Sequence, residues 1–193
     1  MDHVLQLCWM RFNWDENKSR WRKTRISLIA VGGYGRQELL PHSDIDLLIL
    51  SERNTLQNHT HNIQSFLTLL WDIGLEVGHS VRSIADSAAR AKQDVTILTA
   101  LMDARTLAGE EALLERMTTA ISNRKLWQPD RFYAAKLSEQ QARHSKSNHT
   151  EFSLEPNIKT SPGGLRDIQT ILWVAKRHYG TNDLLKLTTL GFL

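Results

Sequence analysis

The chain has 193 residues, enough for one domain or one and a half at about 100 to 200 residues each. Hydrophobic residues make up 41% and charged residues 23%, which excludes wholesale disorder and a fibrous repeat. The 24 Lys and Arg against 21 Asp and Glu leave a formal charge of +3, too small a surplus to mark a DNA or RNA binder yet compatible with an anionic ligand.

Two stretches are locally basic, Arg11 to Arg25 and Arg124 to Lys146, each with six basic residues against two acidic ones. The sole cysteine, Cys8, cannot form an internal disulfide, and no Cys/His spacing resembles a zinc site; a reducing cytoplasm is the expected compartment. The uncharged run Ile26 to Gly35 is too short to cross a bilayer, which takes about 20 apolar residues, so no membrane segment is expected. The first residues lack the basic-then-apolar order of a secretory signal.

In chain order, Val4 to about Trp14 reads as a helix with Val4, Leu7, Cys8 and Phe12 near one face. Ile26 to Val31 is an apolar strand that stops at Gly32-Gly33-Tyr34-Gly35. Arg36 to Leu40 suits a short helical turn before Pro41, and Ile45 to Leu50 is a second buried strand. Ile63, Phe66, Leu67 and Leu70 form the stripe of an amphipathic helix ending near Gly74, followed by a third strand from Leu75 to Arg82. Asp94 can cap a helix carrying Val95, Leu98 and Met102, and Ala104 to Leu107 suits a short fourth strand before Gly109. From Glu110 the pattern is helical, at Glu110 to Ser122, Pro129 to Arg143 and Leu165 to His178, interrupted by a long loop over 144–164. Trp71 and Trp173 stand on helices among apolar neighbours and are expected to pack in the core.

Chemistry concentrates at the glycine turn and at Asp44-Ile45-Asp46, which begins eight positions after Arg36. Side chains alternate along a strand, so Asp44 and Asp46 point to one face and Ile45 and Leu47 to the other. Two carboxylates on one face suit a hard divalent cation such as Mg²⁺, which typically also takes substrate phosphates. Gly32 and Gly33 let backbone N–H groups approach phosphate oxygens, and Arg36 can add a charged fork. Farther on, Pro162-Gly163-Gly164 precedes a helix with an apolar stripe of Leu165, Ile168, Leu172 and Ala175, whose first N–H groups can face an anion beside Lys159 and Arg166.

These strings carry a resemblance. Val31-Gly32-Gly33 followed by Ser43-Asp44-Ile45-Asp46-Leu47-Leu48-Ile49 is similar to the signature of the nucleotidyltransferase fold shared by DNA polymerase β-like enzymes. The longer string, with Tyr34-Gly35-Arg36, Glu38-Leu39 and Pro41, resembles the bacterial PII uridylyltransferases. So do Gly74 to Arg82, and Leu154 to Lys159 with Ser161 to Ile168. In that family's usual pattern a glycine follows Gly-Tyr-Gly-Arg, where Gln37 stands here.

The resemblance implies an α+β nucleotidyltransferase fold, a small mixed sheet flanked by helices and followed by a partial C-terminal helical region. Its expected division is an N-terminal helix and basic lead-in over 1–25, a catalytic domain over 26–109 and a helical nucleotide- and substrate-binding region over 110–193. It implies transfer of UMP from UTP to a tyrosine of the PII signal protein, with Mg²⁺ or Mn²⁺ held by Asp44 and Asp46. Gly32, Gly33, Arg36, Ser43, Lys159, Gly163, Gly164 and Arg166 are the expected nucleotide contacts. Glu76 is the candidate third carboxylate, the position at which a related adenylyltransferase carries its aspartate being Gly78 here. No His-Asp dipeptide occurs, so the family's uridylyl-removing and glutamine-sensing domains are expected to be absent, and Leu187, Leu190, Phe192 and Leu193 to begin a cut-off packing surface. The alternatives are a glutamine-synthetase adenylyltransferase-like enzyme and a non-catalytic truncated nucleotide-binding module.

Overall fold

The computed structural model describes residues 1–14, 26–39, 43–52, 56–122, 126–146, 157–189 and 191. Most of the basic lead-in, the residues just before Ser43, the middle of the 144–164 loop, Leu190, Phe192 and Leu193 lie outside the described residues. The rest falls into two compact units, Met1–Ile121 and Ser122–Leu193.

The first unit is built on four strands: β1 (Ile26–Ala30), β2 (Ile45–Ser51), β3 (Val77–Ser83) and β4 (Arg105–Gly109), in the order β3-β2-β1-β4. β1 runs antiparallel to both β2 and β4, whereas β2 and β3 are parallel, so the sheet is mixed. A parallel pair needs a crossover. It is supplied by α3 (Thr60–Asp72), which buries Ile63, Phe66, Leu67 and Leu70, the stripe the sequence predicts. These side chains meet Ile45, Leu47 and Ile49 of β2 and the leading helix α1 (Asp2–Met10) in one apolar core.

Three elements differ from expectation. α1 ends at Met10 and buries Leu5, Cys8 and Trp9, leaving Val4 and Leu7 exposed. Apolar residues surround this helix, so periodicity alone does not choose the face; the stack of Trp9 on Trp14 and the edge contact of Trp9 with Phe66 do. The helical turn is α2 (Gly32–Gly35), one turn earlier than Arg36 to Leu40. α4 (Ile84–Gln93) is not read from the sequence, because its buried positions are the small residues Ser87 and Ala91 rather than an apolar stripe. Its start is visible in hindsight: Ser83 Oγ accepts the Asp86 N–H at 3.1 Å and donates to the Asp86 carboxylate at 2.6 Å. α5 (Val95–Met102) is capped by Asp94 as expected, through the Thr96 N–H at 2.7 Å, and α6 (Glu111–Ser122) buries Leu113, Met117 and Ile121.

In the second unit α7 (Pro129–Lys146) packs on α8 (Leu165–Tyr179), with the short α9 (Leu184–Thr189) burying Leu187. Phe132 and Trp173 are buried there, and the buried Lys136 Nζ reaches Glu139 at 2.6 Å and lies 4.5 Å over the Trp173 ring. The Arg177 guanidinium donates to the Trp127 carbonyl, so each buried cation has a partner. Among the described residues no helix is long and apolar enough to cross a membrane.

Candidate active site

β2 is covered on both faces, and Asp46 is the only one of its seven residues that is exposed. Asp44, just before the strand, is exposed on the same side by alternation. The backbone at Asp46 is tied to the end of β1, its carbonyl accepting the Val31 N–H at 3.1 Å. Its carboxylate lies between two glycines. A side chain begun at Gly32 would stand 3.4 Å from Oδ2, and one begun at Gly78, the residue paired with Asp46 across β2 and β3, only 2.6 Å from Oδ1. Gly78 thus occupies the neighbouring strand position as open space for Asp46.

Gly32 has φ +59°, the left-handed conformation that glycine adopts without strain, and through it the chain turns from extended Val31 into α2. The first N–H groups of such a turn have no partner within it. Arg36 closes the turn: its guanidinium donates to the Asp103 carboxylate at 2.7 Å and to Glu38 at 2.8 Å. Burial works against the Arg36 charge, but these two carboxylates outweigh it and hold the group above its ordinary pKa. Ser43 is exposed at the approach to β2.

A cleft of about 630 Å³ opens at the start of the parallel strands, lined by Asp44, Asp46, Glu76 and Gly78, with Leu75 and Trp71 forming its apolar part. Glu76 therefore shares a cavity with the two aspartates. Among the described residues, however, no three His, Cys, Asp or Glu side chains stand close enough together to hold a metal ion. Asp44 and Asp46 remain an exposed all-oxygen donor pair with space kept beside it, which fits a hard divalent cation.

The second unit contains Lys159, Gly163, Gly164 and Arg166. The N–H groups expected to face an anion at the start of α8 are instead engaged within the chain. Gly163 donates to Asp167 Oδ2 at 2.8 Å, Gly164 to the Ser161 carbonyl, Leu165 to that of Ile158 and Arg166 to that of Lys159. The preceding loop folds back across the helix start and caps it with its own carbonyls. Asp167 is further held by Arg143 and by His144 Nε2 at 3.0 Å. Burial pushes the Asp167 carboxyl up, but the Gly163 N–H, Gln140, Arg143 and His144 together bring it below its ordinary pKa. The Arg166 guanidinium lies 5.6 Å over Trp173, and Lys159 is exposed.

Sequence reasoning missed two participants. Asp103, the partner of Arg36, is 67 residues away and carries no local signal. Trp71, expected in the core, is half exposed and lines the cleft, whereas Trp173 is buried as expected. A tryptophan in the last turn of a helix just before Gly74 was the available hint, since it lies where the helix leaves the sheet.

Comparison with known proteins agrees with this geometry. Residues 13–96 match the family described as nucleotidyltransferase domain, and residues 131–193 match the family described as GlnD PII-uridylyltransferase. Curated relatives named bifunctional uridylyltransferase/uridylyl-removing enzyme align over all 193 residues. They come from Stutzerimonas stutzeri strain A1501 at 51% identity, Ectopseudomonas mendocina strain ymp at 53% and Azotobacter vinelandii strain DJ at 52%. The chain spans about one fifth of the length of these relatives, 21% in each case. With a mixed sheet that presents Asp44 and Asp46 beside a glycine turn, a nucleotidyltransferase-domain match over 13–96 and identity of about half along its whole length, the chain is similar to the first fifth or so of the bifunctional uridylyltransferase/uridylyl-removing enzymes.

Proposed function

We propose that the chain transfers UMP from UTP to a tyrosine hydroxyl of the PII signal protein in the cytoplasm. The observation that carries this reading is the exposed Asp44 and Asp46 pair at the head of an otherwise buried strand, flanked by the Gly32 turn. In the transfer the tyrosine oxygen bonds to the α-phosphorus, the bond from that phosphorus to the pyrophosphate oxygen breaks, and the hydroxyl proton leaves. Asp44 and Asp46 would hold Mg²⁺ or Mn²⁺, with Glu76 lining the same cleft as a more distant carboxylate; when bound, the ion would supply charge neutralisation to the phosphates and would acidify the hydroxyl.

The chain's own part is positioning. Gly32 and Gly33 offer backbone N–H groups to phosphate oxygens, with Ser43 at the rim. Arg36 holds this turn against Asp103, so that its part in nucleotide binding is to fix the turn that carries the N–H groups. Residues 26–109 serve as the catalytic domain and 110–193 as the helical nucleotide- and substrate-binding region. There Lys159 and Arg166 contribute charge, and Gly163 and Gly164 let the loop approach the nucleotide. The relatives above are named as uridylyltransferases, which favours UTP over an adenylyl donor. Only the transfer half of their name is assigned to these residues, supported by the match over 13–96.

The test is to incubate the chain with UTP, Mg²⁺ and PII and to follow the mass of PII. Asp44→Asn and Asp46→Asn should each cut transfer at least about a hundredfold while leaving the circular dichroism spectrum and melting point within reach of the parent. Unchanged turnover in Asp44→Asn, or a parent that leaves PII unmodified, overturns the reading and favours a non-catalytic nucleotide-binding module.

A further inference from the structure

Trp71 ends the stripe of α3 in an unusual way. Ile63, Phe66, Leu67 and Leu70 are buried, yet Trp71, one residue on, is 50% exposed. An exposed indole costs apolar burial. This one is also held in place: its ring meets His79 of β3 edge-on, with centroids 5.8 Å apart. It forms the apolar wall of the cleft whose other wall carries Asp44 and Asp46.

In-line displacement puts the attacking oxygen and the leaving pyrophosphate on opposite sides of the α-phosphorus. Asp46 marks both sides, since Oδ2 faces Gly32 and Oδ1 faces Gly78. The strand order β3-β2-β1 places these glycines on opposite flanks of β2. If the triphosphate tail is cradled at the glycine turn, the nucleophile enters from the β3 flank, where the cleft lies. Charge argues the same way. Among the described residues the part of the cleft away from Asp44 and Asp46 is lined by Glu76, Leu75, Trp71 and Val77 and by no Lys or Arg, which suits a neutral phenol better than a polyphosphate tail.

We infer that this cleft receives the acceptor: Trp71 is the aromatic platform on which the acceptor tyrosine packs while its hydroxyl points to the Asp44 and Asp46 pair. A cavity of about 630 Å³ is large enough for a tyrosine side chain with its flanking residues. This rests on the transferase reading above and deepens it. Trp71 is a positioning residue for the acceptor, not a nucleotide contact.

The test compares the parent, Trp71→Ala, Trp71→Phe and Asp44→Asn. Trp71→Ala should raise the KM for PII about tenfold, the size of a lost aromatic contact, while the KM for UTP changes less than about twofold; Trp71→Phe should restore most of the difference. Circular dichroism confirms that each variant is folded. A KM for PII that does not move overturns the inference, as does a loss falling on UTP, which would make Trp71 a base-stacking residue. Binding of unmodified PII, measured by surface plasmon resonance without nucleotide, separates the two readings. Weakened PII binding in Trp71→Ala supports the acceptor cleft even where turnover fails, and unchanged binding counts against it. The transferase reading is judged separately, on Asp44→Asn and on whether the parent modifies PII.

Discussion

Asp46 and Gly78 form a single unit: the carboxylate on β2 occupies the space that a side chain on β3 would fill. Gly78→Ala would put a Cβ 2.6 Å from Oδ1, too close for any real contact, and the flexible end of the aspartate would move rather than the backbone. Stability should therefore change little, by less than about 1 kcal/mol. UMP transfer should fall by about tenfold or more, because a displaced carboxylate no longer holds its oxygen in line with the reacting phosphate. Thermal melts and turnover on the same preparation check this. A large drop in melting temperature, or full activity, would show that Gly78 does not set the position of Asp46. The spacing of Asp44 and Asp46 was legible in the sequence because strand alternation is local. The role of Gly78 was not, since it depends on which residue of β3 pairs with Asp46.

At the scale of elements, the turn around α2 carries a cost. Among the described residues Gln37 is the single non-glycine with positive φ, at +64°. An L-residue there is strained by about 1–2 kcal/mol, partly offset because glycine would lose more chain entropy on folding. The glycine of the family pattern at this position thus has a conformational reason that the sequence pattern alone only hinted at. Gln37→Gly should raise stability by about 0.5–1 kcal/mol, measured as a higher urea midpoint at unchanged slope. A lower midpoint would mean that Gln37 makes compensating contacts. Arg36 beside it was read as a phosphate fork, and the fold gives it a structural duty to Asp103 as well.

At the scale of the molecule, Asp2 and Asp167 are both held below the ordinary carboxylate range. Asp2 is lowered chiefly by the Arg105 guanidinium, with Tyr34 adding a hydrogen bond at 2.6 Å, and so ties α1 to β4 and α2. Asp167 joins α7 to the start of α8. A group with a lowered folded pKa contributes its full stability above the unfolded value near 4 and loses it as the pH falls through the folded value. Stability should therefore be flat from neutral pH down to about 5 and decline below about 4. Asp167→Asn should cost about 2 kcal/mol at pH 7 and flatten the acid decline, whereas the half-exposed Asp2 should give a smaller effect. Acid titrations of both variants followed by circular dichroism check this; an Asp167→Asn variant as acid-sensitive as the parent would count against it.

Features carried by short periods and local chemistry were determined by the sequence alone. They are the apolar strands, the α3 stripe, the Asp94 cap, the glycine turn and the two aspartates on one strand face, because each is encoded within a few neighbouring residues. Tertiary structure decided what depends on distant partners. It paired Arg36 with Asp103, and it closed the α8 start with carbonyls of Ile158, Lys159 and Ser161 instead of leaving its N–H groups open. It also left Trp71 at the cleft, since β3 is the edge strand of the sheet among the described residues and none of those residues forms a further strand beyond it to cover the indole. The i, i+3, i+4 period states which side of a helix is apolar; only the position of the sheet edge states where that side runs out of partners.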